Sequence, residues 1–156
     1  MGNWPDYRGV RGVPDLRAFL EGAWRLSRSL DDRRTGQRGR LDGLAVFTPS
    51  GALLIYRERG MVRLGGYQGR AERVYRYGFP APGRAEVAFE DGAPFHDLDL
   101  TGGTWTADHR CREDRYRGVF RALAPDAWEV VWRVAGPRKD QTLTTRYCRN
   151  PEGLEV

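Results

Sequence analysis

The stretch Phe95-His96-Asp97-Leu98-Asp99-Leu100-Thr101-Gly102-Gly103-Thr104-Trp105-Thr106-Ala107-Asp108-His109-Arg110-Cys111 decides the fold. Gly102-Gly103 separates two alternating runs, the pattern of a two-residue hairpin loop whose positions accept φ > 0. Centring the turn there pairs Leu100 with Trp105, Leu98 with Ala107 and His96 with His109. Side chains alternate along a strand, so both histidines share a face with Leu98, Leu100, Trp105 and Cys111. Asp97, Asp99, Asp108 and Arg110 take the opposite face. The apolar face is the buried one, and the spacing predicts two imidazoles pointing inward.

Adjacent hairpins extend this face. An Asp91-Gly92 turn pairs Phe89 with Pro94 and Val87 with His96. A turn at Glu113-Asp114 pairs Cys111 with Tyr116, His109 with Gly118 and Ala107 with Phe120. Trp128, Val130, Trp132 and Val134 alternate on one face of the next strand, and Leu143, Thr145, Tyr147 and Arg149 on one face of the last. The registers place His96, His109, Cys111 and Tyr116 in one patch, walled by Trp105, Phe120, Trp128 and Trp132.

Working outward, strands are predicted over 23–30, 40–47, 52–59, 61–64, 69–77, 84–90, 94–100, 105–111, 115–123, 128–134 and 142–149, with turn signals such as Pro49-Ser50-Gly51 and Pro80-Ala81-Pro82-Gly83 between them. One short helix is expected over 14–20, with its proline in the first turn. No helix is long enough for a βαβ crossover. The expectation is an antiparallel up-and-down β-barrel of about ten strands, since closure removes the exposed edges of a meander. Residues 1–13 read as a flexible amino-terminal segment and 14–150 as a single barrel domain.

The chain has 156 residues, 40% hydrophobic and 30% charged, ordinary for a soluble domain. No apolar run approaches the roughly 18 residues of a membrane span, and no signal-peptide core opens the chain, so no membrane role and a cytoplasmic location are expected. Cys111 and Cys148 make no disulfide framework. Net charge is +5, but the basic residues are dispersed and all but Lys139 are arginine, so a nucleic-acid partner is not expected.

Gly22-Ala23-Trp24 at the first strand and Tyr147-Cys148-Arg149 at the end of the last resemble the calycin (lipocalin-like) signature, in which a tryptophan at the barrel's closed end stacks beneath an arginine of the final strand. A broader resemblance runs from about Leu20 to Arg149. Gly22-Ala23-Trp24, Tyr56-Arg57-Glu58-Arg59-Gly60, Asp91-Gly92-Ala93-Pro94-Phe95-His96-Asp97-Leu98, His109-Arg110-Cys111-Arg112-Glu113-Asp114-Arg115-Tyr116 and Trp132-Arg133-Val134-Ala135-Gly136-Pro137-Arg138-Lys139-Asp140 are similar to the motifs of the domain-of-unknown-function family numbered 6314. That resemblance implies a lipocalin-like barrel and brings no activity with it.

Function must therefore come from the residues. The leading expectation is a barrel that binds a small, partly apolar, anionic molecule. His96, His109, Tyr116 and Cys111 supply polar contacts, Trp105, Phe120, Trp128 and Trp132 the walls, and Arg138 and Lys139 an anchor at the rim. Tyr56, Glu58, Arg73, Tyr75 and Tyr77 can add polar lining. The alternative is an enzyme of the cyclase or isomerase type, with His96, His109 and Tyr116 as acid–base groups. Metal-dependent chemistry is a further option: two imidazoles and a thiolate make His96, His109 and Cys111 a candidate zinc site. An inward histidine in a small barrel can also ligate haem iron. The expectation with no cofactor leaves the histidines bonded to each other, to Tyr116 or to a trapped water.

Overall fold

The computed structural model describes residues 7–149. One helix, α1 (Leu16–Leu20), precedes ten strands: β1 (Gly22–Asp32), β2 (Arg38–Ser50), β3 (Leu53–Leu64), β4 (Tyr67–Ala81), β5 (Arg84–Phe89), β6 (Pro94–Asp99), β7 (Thr104–Cys111), β8 (Asp114–Ala124), β9 (Ala127–Ala135) and β10 (Asp140–Arg149). The strands pair in the order β6-β5-β4-β3-β2-β1-β10-β9-β8-β7, so the first and last strands are neighbours. The sheet curls into a nearly closed antiparallel barrel, as the alternating pattern and turn spacing imply. The segments expected over 52–59 and 61–64 are one strand, because Gly60 continues the ladder opposite Gly43. A Cβ at Gly43 would lie 2.0 Å from the Arg59 carbonyl oxygen, so this glycine pair lets β2 and β3 approach too closely for any side chain.

The hairpin at Gly102-Gly103 is where the structure departs from the sequence reading. Strands β6 and β7 share no ladder, and the pairings Leu100–Trp105, Leu98–Ala107 and His96–His109 do not form. Another segment takes the hydrogen bonds. The Val13 amide donates to the Leu100 carbonyl at 2.9 Å, and the Gly103 carbonyl accepts from Ala122 at 2.9 Å. The Arg11 amide reaches Ala122 on the same side, and a Cβ at Gly103 would lie 2.7 Å from the Arg11 carbonyl oxygen. The Gly103 amide also donates to the Leu100 carbonyl, so a turn closes here, while the Arg11–Val13 segment lies between its two sides, bonded to Leu100 on one and to Ala122 on the other. Of the amino-terminal segment 1–13, residues 1–6 lie outside the described residues, and Val13 is buried.

The end of the barrel beneath this turn is plugged. Asp15 caps α1 through the Ala18 amide, and Leu16 and Leu20 are fully buried. The carbonyls at the end of so short a helix have no intrahelical partners. Trp24 Nε1 donates to the Leu20 carbonyl at 2.8 Å. Arg149 donates to the carbonyls of Glu21 at 2.7 Å and of Phe19. The Arg149 guanidinium stands 3.9 Å above the Trp24 ring, a cation–π contact that seals the floor. Gly22 carries φ +109°, and a Cβ there would meet Arg149 Nη1 at 2.9 Å; the glycine of the Gly-Ala-Trp motif makes room for the arginine. Among the described residues no helix is long and apolar enough to cross a membrane.

Candidate functional site

Opposite the plug, the barrel encloses a cavity of about 740 Å³. Its rim is formed by residues beside the β5–β6, β7–β8 and β9–β10 turns, including Glu90, Asp91, Cys111, Tyr116 and Gln141.

One wall is polar. Along β1 the residues Trp24, Leu26 and Arg28 alternate inward, and all three are buried. Arg28 Nη1 and Nη2 bond both oxygens of Glu58 at 2.7 and 2.9 Å, and its Nε donates to Thr145 Oγ1 at 2.8 Å. Tyr56 donates to Glu58 Oε1 at 2.6 Å and shares a 2.8 Å hydroxyl contact with Tyr147. Every polar head in this group has a partner, the condition under which a buried ion pair is tolerated. Burial opposes charge on Glu58, but the Arg28 hydrogen bonds and charge, with Arg73 and the Tyr56 hydroxyl, hold its carboxyl below the usual carboxylate range. Burial first, then the Glu58 charge, pushes the Tyr147 hydroxyl up to about 12, and burial likewise raises Tyr56 and Tyr77. These phenols are hydrogen-bonding groups and not bases at neutral pH.

The facing wall is aromatic. Val87 pairs with His96 and Ala88 with Pro94, so Phe95 is an extra residue in β6. This bulge replaces the expected Phe89–Pro94 pair and re-aims Phe95 into the cavity beside His96. The Phe95 ring stacks on Phe89 at 4.6 Å and on Trp132 at 5.3 Å between centroids. Trp132 can lie there because its partner is Gly118, where a Cβ would come within 2.8 Å of the indole. Trp128, deeper in the barrel, lies flat on Tyr147 with centroids 3.8 Å apart.

His96 and His109 both line the cavity. They are brought together around Phe95, at 4.7 and 5.1 Å from its ring, and no hydrogen bond joins them. His96 Nδ1 lies 2.7 Å from the Asp97 carbonyl oxygen. A carbonyl only accepts, so Nδ1 carries the proton and Nε2 keeps its lone pair. Burial draws the His96 pKa down to about 4 despite that bond, so the ring is neutral at neutral pH. His109 faces Tyr116 across the β7–β8 ladder, 5.9 Å between centroids. The β7–β8 turn sits at Arg112-Glu113, one residue earlier than expected, which shifts the register by two and sets Cys111 opposite Asp114. A slip of two leaves every side chain on its expected face.

Of the other residues singled out from sequence, Phe120, Trp128, Trp132, Tyr116 and Cys111 line the cavity and Trp105 does not. The Trp105 indole instead donates to the Asp97 carbonyl at 2.9 Å, across the gap between β6 and β7. Arg138 and Lys139 stand at the open end but do not line the cavity. Lys139 is ion-paired with Asp114 at 3.3 Å. Among the described residues no three His, Cys, Asp or Glu side chains gather as a metal ion would require. Sequence reasoning missed Arg28, although the Trp24-x-Leu26-x-Arg28 alternation marks it as inward. It also missed Phe95, which alternation from His96 assigns to the outside.

A calycin-type floor, ten meandering strands and the spacing of the quoted motifs meet in one sequence family. The family model described as a family of unknown function (DUF6314) matches residues 20–149. The chain belongs to DUF6314. The DUF6314 barrel is similar in fold to the S-type phycobiliprotein lyase CPES from Guillardia theta, with TM-score 0.64 and 10% identity over 90% of this chain and 93% of that one. It is also similar to a protein of unknown function from the DUF3598 family of Nostoc punctiforme PCC 73102, with TM-score 0.59 and 11% identity over 92% of this chain and 51% of that one. At these identities the likeness is one of fold. No curated protein matches the sequence.

Proposed function

We propose that this barrel binds a small, flat, partly apolar molecule in its interior. The observation that carries the reading is the cavity of about 740 Å³ with rings on one side and a satisfied polar network on the other. That volume lies within the range of small-molecule sites, which pair apolar walls with a few placed polar groups. A ligand's rings would lie in the cavity against the Phe95–Trp132 stack, removing apolar surface from water. His96 Nε2 would accept a hydrogen bond, and His109 and Tyr116 would offer further polar contacts nearer the rim. A His96 held neutral down to about pH 4 suits an acceptor better than a proton shuttle, which supports binding over acid–base work at that ring.

The test uses a neutral polycyclic fluorophore, 1-aminoanthracene, titrated into the purified protein. Energy transfer from the cavity tryptophans should accompany saturable binding. Leu143→Trp, which fills space from a half-buried lining position, should weaken binding at least about tenfold while the circular dichroism stays that of the wild type. Absence of saturable binding, or equal binding by the filled variant, would overturn the reading.

A further inference from the structure

The polar wall carries an imbalance of charge. Glu58 is buried and spends both carboxylate oxygens on Arg28 and one of them also on Tyr56. Arg73 stands directly opposite Glu58 on the neighbouring strand and lines the same cavity. Although it is the cross-strand neighbour of a carboxylate, it forms no ion pair with it or with any other described acid. Its guanidinium lies over the Tyr75 ring, 6.0 Å from the centroid. On this wall two guanidiniums face one carboxylate, and the other lining acids, Glu90 and Asp91, lie toward the rim. Arg73 is exposed at the cavity, so an anion can reach its guanidinium without displacing another acid from it. Guanidinium also offers a planar fork that matches carboxylate geometry.

Resting on the ligand-binding reading above, we propose that Arg73 is the anchor for a single carboxylate on an aromatic ligand, whose ring system then lies against Tyr75, Phe95 and Trp132. The chemistry favours a monoanion over a phosphate dianion. One negative charge matches the single guanidinium that Glu58 leaves unpaired, whereas a second would meet added repulsion from Glu58 and the rim acids Glu90 and Asp91. The anchor therefore sits within the barrel, distinct from Arg138 and Lys139 at the β9–β10 turn.

Two probes that share a ring system and differ only in charge decide the matter: 1-pyrenebutyrate and 1-pyrenebutanol, titrated by fluorescence at neutral pH. The wild type should bind the carboxylate about tenfold or more tighter than the alcohol, the usual size of a charge-assisted hydrogen bond. Arg73→Gln should erase that preference and leave the alcohol's affinity unchanged. Arg73→Lys should retain part of it, since charge persists without the fork. Arg138→Gln and Lys139→Gln should leave the preference intact. Equal binding of both probes by the wild type, or a preference that survives Arg73→Gln, would overturn the anchor while leaving the cavity reading in place. Failure of both probes to bind would overturn the two together. Arg73 is exposed, so Arg73→Gln should fold, and its unchanged affinity for the alcohol serves as the control.

Discussion

The wall built on β1, β3, β4 and β10 is held by an unbroken ladder and by charged groups in mutual contact. The wall built on β5 to β9 crosses the gap between β6 and β7 and is held by rings that stack. The two walls enclose one cavity but respond to change in different ways. In the polar wall each group depends on a particular partner, because an ion left alone away from water has no second solution. In the aromatic wall contacts are numerous, individually weak and without strict direction, so the loss of one is shared among neighbours. The polar wall is the fixed template and the aromatic wall the side able to yield to a ligand.

The largest expected effect comes from breaking the template. Glu58→Ala strands the Arg28 guanidinium in the interior and should cost about 3–5 kcal/mol, a fall in Tm on the order of 10 °C for a domain of this size. Arg28→Met combined with Glu58→Met should recover most of that loss, because neither charge is then left alone. Urea denaturation of the two variants gives the comparison directly. A cost below about 1 kcal/mol for Glu58→Ala would mean that the ion pair does not hold the wall.

The aromatic wall carries its own sensitivity, to acid. In the folded chain burial sets the His96 pKa at about 4, against about 6.5 for an unfolded histidine. Between those values the unfolded chain takes up the proton first, so stability is full above pH 6.5 and falls as pH drops toward 4. The expected loss over that window is on the order of 1–3 kcal/mol. Glu58, whose pKa is lowered, also loses stability in acid, so the difference between wild type and His96→Gln isolates the histidine. That variant should show a shallower fall between pH 6.5 and 4.5, and an identical slope in the two proteins would dismiss the assignment.

The same contrast explains what the sequence made legible. Strict alternation is visible wherever a ladder is regular, which is why the faces of β7, β8, β9 and β10 are readable and survive a turn displaced by one residue and a register shifted by two. It is equally visible in β1, where Arg28 shares the parity of Trp24 and Leu26; a charged side chain on an apolar face draws less attention than a histidine, and its partner Glu58 lies on a strand two away in the sheet. Phe95 was not legible, since a bulge inserts one residue and reverses parity without a mark in composition. Nor was the gap at Gly102-Gly103. Local turn chemistry favours a hairpin there, and only the distant Arg11–Val13 segment, docked on the Leu100 and Ala122 backbone, makes the alternative better. Both histidines line the interior among rings, and Glu58 and Arg73 line it as the polar contribution of β3 and β4; the Arg28–Glu58 pair itself needs β1 and β3 in one curled sheet and leaves no mark in alternation.

The smallest effect tests whether the gap behaves as a separate, weaker joint. The Asp97 carbonyl accepts from the Trp105 indole and from His96 Nδ1, two side chains standing in for a missing ladder bond. Trp105→Phe keeps the ring and removes the first donor. His96 still satisfies the carbonyl, so the cost should be only about 0.5–1.5 kcal/mol. Its location matters more than its size. Without a ladder to share the load, opening should rise locally, and amide hydrogen exchange should quicken in β6 and β7 while β1 and β2, paired on both sides, keep wild-type rates. Adding His96→Gln should cost more than either change alone implies, because the carbonyl then loses both donors. Exchange that quickens equally in every strand would place β6 and β7 in the same cooperative unit as the polar wall, and the contrast between a fixed and a yielding side would fail at its most direct test.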